Sequence, residues 1–191
     1  MKREDLLRIF SHMPHLETPR LLLRPMRVCD TEDMFEYARD PEVTRYLLWR
    51  PHVNKDYTRR YLEYLAGRYR LGEHYEWAMI HRKSGRMIGT CGFARIDCAN
   101  DCAELGYVLN PAYRGQGLVV EAATRVLEFG FCELELNRVE ARYMVENLPS
   151  LRVMEKLGMR FEGVARASLL VKGLYRDIGK CAILKKEFFS E

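Results

Sequence analysis

The chain has 191 residues, 48% of them hydrophobic, and its 31 Lys and Arg against 27 Asp and Glu leave a formal net charge of +4. That is enough apolar material for one buried core, and the mild positive balance suits a small acidic ligand while falling short of a nucleic-acid footprint. No apolar run spans a bilayer, and the six cysteines (Cys29, Cys91, Cys98, Cys102, Cys132, Cys181) form no Cys-x-x-Cys pair, which argues against a zinc site.

The start, Met-Lys-Arg-Glu-Asp, lacks the apolar stretch of a signal peptide, so a reducing cytoplasm is the expected compartment. Residues 1–13 carry a Leu-Leu-x-Ile-Phe stripe and read as a short helix or a loosely attached arm, set apart from one domain over 14–191. Leu21 to Arg24 is strand-like. Asp30 and Asp33 supply carboxylate caps before a helical stretch from Glu32 to Arg39, and Asp40-Pro41 starts another. From Lys55 to Tyr69 a stripe of Tyr57, Tyr61, Leu62, Tyr64, Leu65 and Tyr69 repeats at helical spacing and is expected to face the core. The arginines around it (Arg45, Arg50, Arg59, Arg60, Arg68, Arg70) read as a solvated face.

Two strands follow, Tyr75 to His81 and Met87 to Phe93, joined by a turn containing Gly85, and a third runs from Cys102 to Leu109. A helix over Val119 to Phe131 and a strand over Arg138 to Tyr143 then make a strand-helix-strand crossover, which implies a parallel pair. A helix from Pro149 to Leu157 stops at Gly158, and a long hairpin, Arg160 to Val171 with Asp177 to Glu187, turns around Lys172-Gly173. The order predicts an α/β single domain with a mixed, mostly antiparallel central sheet and helices on both faces.

The segment Tyr107-Val-Leu-Asn-Pro-Ala-Tyr-Arg114-Gly-Gln-Gly117-Leu-Val119 carries the strongest chemical signal. A β-branched and aromatic strand meets a loop with Gly115 and Gly117, which opens directly into an amphipathic helix. Glycines let the backbone approach a ligand, the first N–H groups of the helix point at it, and the helix dipole and Arg114 add positive charge. A pyrophosphate suits that arrangement. The spacing matches neither the Walker phosphate loop nor the dinucleotide fingerprint Gly-x-Gly-x-x-Gly.

Arg114-x-x-Gly117-x-Val119 does resemble the Arg/Gln-x-x-Gly-x-Gly/Ala acyl-coenzyme A signature of the GCN5-related N-acetyltransferase (GNAT) family, with Val119 departing at the last position. The resemblance covers most of the chain. Leu16 to Arg24 and Asp40 to Tyr46 are similar to the opening strand and second helix of the ribosomal-protein N-terminal acetyltransferase branch. Ala103 to Tyr107 is similar to its fourth strand, and Glu146-Asn147-x-x-Ser150 with Glu155 to Met159 to the helix and turn beside the coenzyme.

That resemblance implies a GNAT fold whose strands four and five splay apart, with the pantetheine arm of acetyl-CoA, the co-substrate, lying in the gap. It assigns the coenzyme to Tyr107, Val108, Leu109, Arg114, Gly115, Gln116, Gly117, Leu118, Val119 and Asn147, and catalysis to Glu104 as base or water relay and Ser150 as proton donor to the thiolate. Glu104 has an alternative use in holding an arginine or a backbone amide, and Asn147 and Ser150 in capping their helix. An amide near Tyr107 or Val108 would face the oxyanion. Cys181 stands where the branch usually has an aromatic residue in its last strand, so the acid role of that tyrosine lapses here, with Tyr143 and Tyr175 as substitutes. The expected acceptor is the α-amine of a protein or peptide N-terminus, with a small-molecule amine (a polyamine, antibiotic or toxin) as the rival. A non-catalytic acyl-CoA sensor is the alternative, and a homodimer is an assembly the resemblance allows. Loops 46–54 and 173–177, with Trp49, Arg50 and His52, are expected to shape the acceptor pocket.

Overall fold

The computed structural model describes residues 2–190. Eight strands form one sheet in the order β1-β2-β3-β4-β5-β6-β8-β7: β1 (Leu16–Glu17), β2 (Leu21–Arg24), β3 (Glu76–His81), β4 (Met87–Asp97), β5 (Cys102–Leu109), β6 (Arg138–Met144), β7 (Arg160–Val171) and β8 (Leu174–Leu184). Every neighbouring pair is antiparallel except β5 with β6, which the crossover helix α5 (Leu118–Cys132) joins in parallel.

Other helices cover both faces. α1 (Arg3–Ser11) buries Leu6 and Phe10, and the Phe10 ring packs against Tyr75, Trp77 and Phe129. The N-terminal stripe is therefore helical, with its apolar side in the core. Trp77 of β3 faces α5 through Phe129, so by strand alternation Glu76 points the other way, toward α2 (Thr31–Ala38) and α4 (Lys55–Arg70). The short α3 (Pro41–Thr44) begins on Asp40, whose side chain accepts from the Glu42 N–H. α6 (Leu148–Lys156) flanks β6, and α7 (Lys185–Phe188) follows β8.

Two of the six residues of the expected α4 stripe face outward. Leu62, Leu65 and Tyr69 are buried, whereas Tyr57 and Tyr64 are exposed, because six apolar positions cover a wider arc than the seam the sheet can accept. β4 also runs further than read, to Asp97, with a bulge at Ala94 between the rungs Phe93↔Leu105 and Arg95↔Glu104. The last strand ends at Leu184, where a short helix takes over.

The feature that shapes the site is where β5 and β6 stop pairing. Their parallel rungs run from Cys102↔Arg138 to Leu105↔Ala141, yet β5 continues to Leu109 and β6 to Met144. From Gly106 onward β5 is bonded to β4 alone, and the two strands diverge into an open gap.

Candidate active site

A cleft of about 570 Å³ opens where β5 and β6 part. Its walls are Tyr107, Val108 and Leu109 of β5, the loop at Arg114, Gly115 and Gly117, the start of α5, and Asn147 just before α6 with Ser150 in its first turn. Of the residues assigned from sequence to the coenzyme or to catalysis, Gln116 and Glu104 lie outside this lining.

The loop geometry follows from its glycines. Gly115 (φ +76°) and Gly117 (φ +74°) take left-handed conformations that an L side chain resists, and a Cβ on Gly115 would meet open space rather than protein. The first hydrogen bond inside α5 runs from the Glu121 N–H to the Gly117 carbonyl, which leaves the N–H groups of Leu118, Val119 and Val120 without helical acceptors. They face the cleft with the positive end of the helix dipole. Val119 is itself buried at 8% exposure, so its branched side chain packs inward and leaves the backbone approachable.

Arg20 holds this loop from behind, a role that sequence reasoning missed. Its Nη1 donates to the Gln116 carbonyl at 2.8 Å, and its Nε donates to Glu121 at 2.6 Å, while Thr18 Oγ1 donates to the same carboxylate at 2.6 Å. Burial opposes ionisation of Glu121, but the bonds from Thr18 and Arg20 outweigh it and hold that carboxyl below the usual range. Arg45, Arg152 and Lys156 join Arg114 around the cleft. The signal for two of them was their i, i+4 spacing on α6, invisible until that helix face was known.

On the α6 side, Asn147 caps the helix by accepting from the Ser150 N–H at 3.4 Å. The Ser150 hydroxyl lies 2.9 Å from the Tyr107 hydroxyl, which also donates to the Ser150 carbonyl at 3.0 Å. The Tyr107 side chain is therefore a partner of Ser150 as well as part of the strand. Burial pushes the Tyr107 phenol well above its ordinary value, with a smaller opposing pull from Ser150, so it stays protonated.

Glu104 lies on the opposite face of β5, and Arg142 of β6 occupies both of its oxygens, with Nε at 2.9 Å and Nη2 at 2.5 Å. The base role expected of Glu104 thus competes with a bidentate use of the same oxygens, the arginine-holding alternative. Of the substitutes for the missing tyrosine, Tyr175 is exposed near the hairpin tip, and Tyr143 is buried against Gly179. Cys181 is enclosed in the core at 1% exposure, and burial pushes its thiol up.

The segments that border the two acceptor loops touch one another. Lys172 in the β7–β8 turn donates to the Thr44 carbonyl at 2.5 Å, and Tyr46 packs against Met144, Val171 and Ile178. His52 turns inward instead: it is 7% exposed, lies 2.8 Å from Thr58 Oγ1 and is ringed by Trp49, Tyr57 and Tyr61. Its visible contribution is packing among these rings.

Such an arrangement offers backbone donors and cations for a pyrophosphate, a strand edge for a chain with amides, and a hydroxyl pair beside that edge. A family model for the acetyltransferase (GNAT) domain matches residues 20–160. A GNAT-family acetyltransferase of Bacillus anthracis has the same fold at a TM-score of 0.82, with 30% identity over 91% of this chain and 100% of that one. A Bacillus subtilis protein provisionally named a ribosomal N-acetyltransferase is 35% identical over 107 residues, 56% of this chain and 58% of its own. The spermidine N(1)-acetyltransferase of Escherichia coli is 26% identical over 107 residues, again 56% and 58%. No helix among the described residues is long and apolar enough to cross a membrane.

Proposed function

The chain belongs to the GNAT acetyltransferase family, whose members use acetyl-CoA as acyl donor, and from that premise we propose that it acetylates the α-amine of a protein or peptide N-terminus. The observation that carries the site assignment is the free edge of β5 from Gly106 to Leu109, opening beside the glycine loop at the start of α5. Where β6 has withdrawn, every second N–H and C=O of that stretch is turned into the gap, available to the amides of a pantetheine arm.

The residues present fit that coenzyme. Bound there, it supplies an activated thioester. The N–H groups of Leu118, Val119 and Val120 would hold the pyrophosphate, with Arg114, Arg152 and Lys156 as counter-charges, and Asn147 would orient the arm while capping α6. Ser150 would protonate the departing sulfur, its hydroxyl kept in line by Tyr107. Glu104 would fix Arg142 on the acceptor face.

The acceptor reading draws on charge. An α-amine has a pKa near 8, against about 10.4 for an alkylammonium such as Lys, so it needs less help to become a nucleophile. A polyamine binds best to several unmatched carboxylates, whereas Glu104 is paired with Arg142 and Glu140 sits within 3.5 Å of Arg138 and 3.7 Å of Arg95. The kinship to a ribosomal N-acetyltransferase favours the same class, and the spermidine enzyme is the competing relative. Incubating the protein with radiolabelled acetyl-CoA and a cell extract split into protein and small-molecule fractions decides between them. Label at protein N-termini, located by mass spectrometry, is expected. Label confined to small amines would transfer the assignment to metabolite modification, and no label on either would leave only an acyl-CoA-binding role.

A further inference from the structure

We propose that Glu76 is the group that takes the proton from the acceptor amine, a catalytic carboxylate carried to the mouth of the splay along a corridor made by two glycines. The inference rests on the acetyl-transfer reading above and supplies the base which that reading lacks.

Glu76, Gly92 and Gly106 are register partners across β3, β4 and β5, so they stand in line on one face of the sheet. The missing side chains make room. A Cβ on Gly92 would fall 2.4 Å from the Glu76 Cα and 3.1 Å from its Cβ, and Glu76 Oε1 ends 3.5 Å from where a Cβ of Gly106 would stand. Gly106 is the first residue of β5 beyond its last rung with β6. The carboxylate therefore lies over the strand at the point where the gap begins, on the face turned away from the α5 side.

The surroundings of Glu76 are those of a group reserved for a ligand. Among the described residues its carboxylate accepts no hydrogen bond, whereas its neighbours on this face, Glu104 and Glu140, are matched by arginines. His74 Nε2 is 3.6 Å away and has no hydrogen-bond partner. Burial and Arg68 push the pKa of His74 down to about 4, so this is a neutral ring beside a carboxylate and not an ion pair at neutral pH. Tyr37 of α2 and Tyr61 and Tyr69 of α4 lie on the same side as this carboxylate, all pushed up by burial and uncharged, as is Cys91, which sits beside Gly92 on the other face of the sheet, and the buried Tyr37 hydroxyl has no hydrogen-bond partner. Burial likewise raises the Glu76 carboxyl, toward the range in which a carboxylate can deprotonate an amine. One quarter of the side chain remains open to solvent, at 25% exposure, so an amine can reach it.

The step balances without a further reagent. The acceptor ammonium gives one proton to the Glu76 carboxylate. The freed nitrogen lone pair forms the C–N bond at the thioester carbonyl, whose π pair moves onto oxygen. When that pair re-forms the carbonyl, the C–S bond breaks and sulfur leaves with the electrons of that bond. The surplus proton on nitrogen then replaces the one Ser150 gives to sulfur, yielding amide and thiol, and Glu76 returns its proton to water.

Glu76→Gln and Glu76→Asp test this in the full chain, with a free-N-terminus hexapeptide and spermidine as acceptors, acetyl-CoA binding by calorimetry, and thermal unfolding. Glu76→Gln is expected to lower kcat by about 100-fold while the acetyl-CoA Kd stays within about twofold. Its residual rate should rise about tenfold per pH unit up to the pKa of the amine, as free base alone supplies the nucleophile. Glu76→Asp keeps the charge but falls short of Gly106, and should retain the base limb of the pH profile at reduced rate. A carbon-13 titration of the Glu76 carboxyl, with no acceptor present, should place it above the ordinary carboxylate range. An unchanged kcat or pH profile in Glu76→Gln, or an ordinary carboxyl titration, overturns the assignment and leaves the transferase reading standing. Falling Tm together with lost acetyl-CoA affinity in both variants makes Glu76 structural and also overturns it. A wild-type protein that binds acetyl-CoA but labels no amine removes both.

Discussion

Ser150 and His74 show how differently a single side chain can be tested. Because the Ser150 hydroxyl sits 2.9 Å from Tyr107 and its N–H is capped separately by Asn147, Ser150→Ala removes a proton donor without uncapping α6. We expect kcat to fall by about 10- to 100-fold with acetyl-CoA affinity intact, measured by steady-state kinetics alongside calorimetry; equal loss in both would show the hydroxyl to be a binding contact. His74 bears on stability. Its folded pKa of about 4 lies below the unfolded value near 6.5, so between those values the unfolded chain binds more protons, and stability falls as pH drops through that window. Glu76, raised on folding, works in the opposite sense. Replacing His74 with Gln should therefore flatten the decline of Tm from pH 6.5 to 4, and a decline as steep as in wild type would place its cause elsewhere.

At the scale of elements, the start of α5 is the piece most sensitive to backbone. A Cβ on Gly117 would meet only Arg20 Nη2, at an ordinary 3.8 Å, so the obstacle to substitution there is the left-handed φ of +74°. Gly117→Val should cost about 1–2 kcal/mol of local strain and raise the acetyl-CoA Kd about tenfold, with kcat little changed. An unaltered Kd would show that the loop amides do not bind the coenzyme. This loop was legible because glycine, helix start and arginine are local signals within a dozen residues, and β5 was legible from its β-branched run. Less local facts stayed hidden. The Thr18–Glu121 bond spans 103 residues, the Glu104–Arg142 pair depends on parallel register, and the bulge at Ala94 shifts which residues of β4 and β5 face each other. Alternation within one strand puts Glu104 and Gly106 on one face, but only the cross-strand line of Glu76, Gly92 and Gly106 shows what else lies there.

Across the whole molecule, the N-terminal helix joins the same core as the sheet. Phe10 is fully buried among Tyr75, Trp77 and Phe129, and the Gly72 turn passes so close to α1 that a Cβ would stand 2.0 Å from the Leu7 carbonyl oxygen. Phe10→Ala should cost about 3–5 kcal/mol and lower the midpoint of one cooperative transition. Two separate transitions by calorimetry would mean that α1 melts independently and that its burial contributes little to the rest.

A sheet edge with unsatisfied peptide groups ordinarily recruits whatever strand comes near, which is how many β proteins begin to aggregate. Here the unpaired reach of β5 is four residues long, Gly106 to Leu109, bounded at one end by its rungs with β6 and at the other by the turn at Pro111. A foreign strand would have to enter a wedge that closes on it after two side chains, whereas a slender linear chain with spaced amides fits the taper. The opening that admits a ligand is thus too short to seed a polymer, and its length alone guards an edge that other sheets must cover.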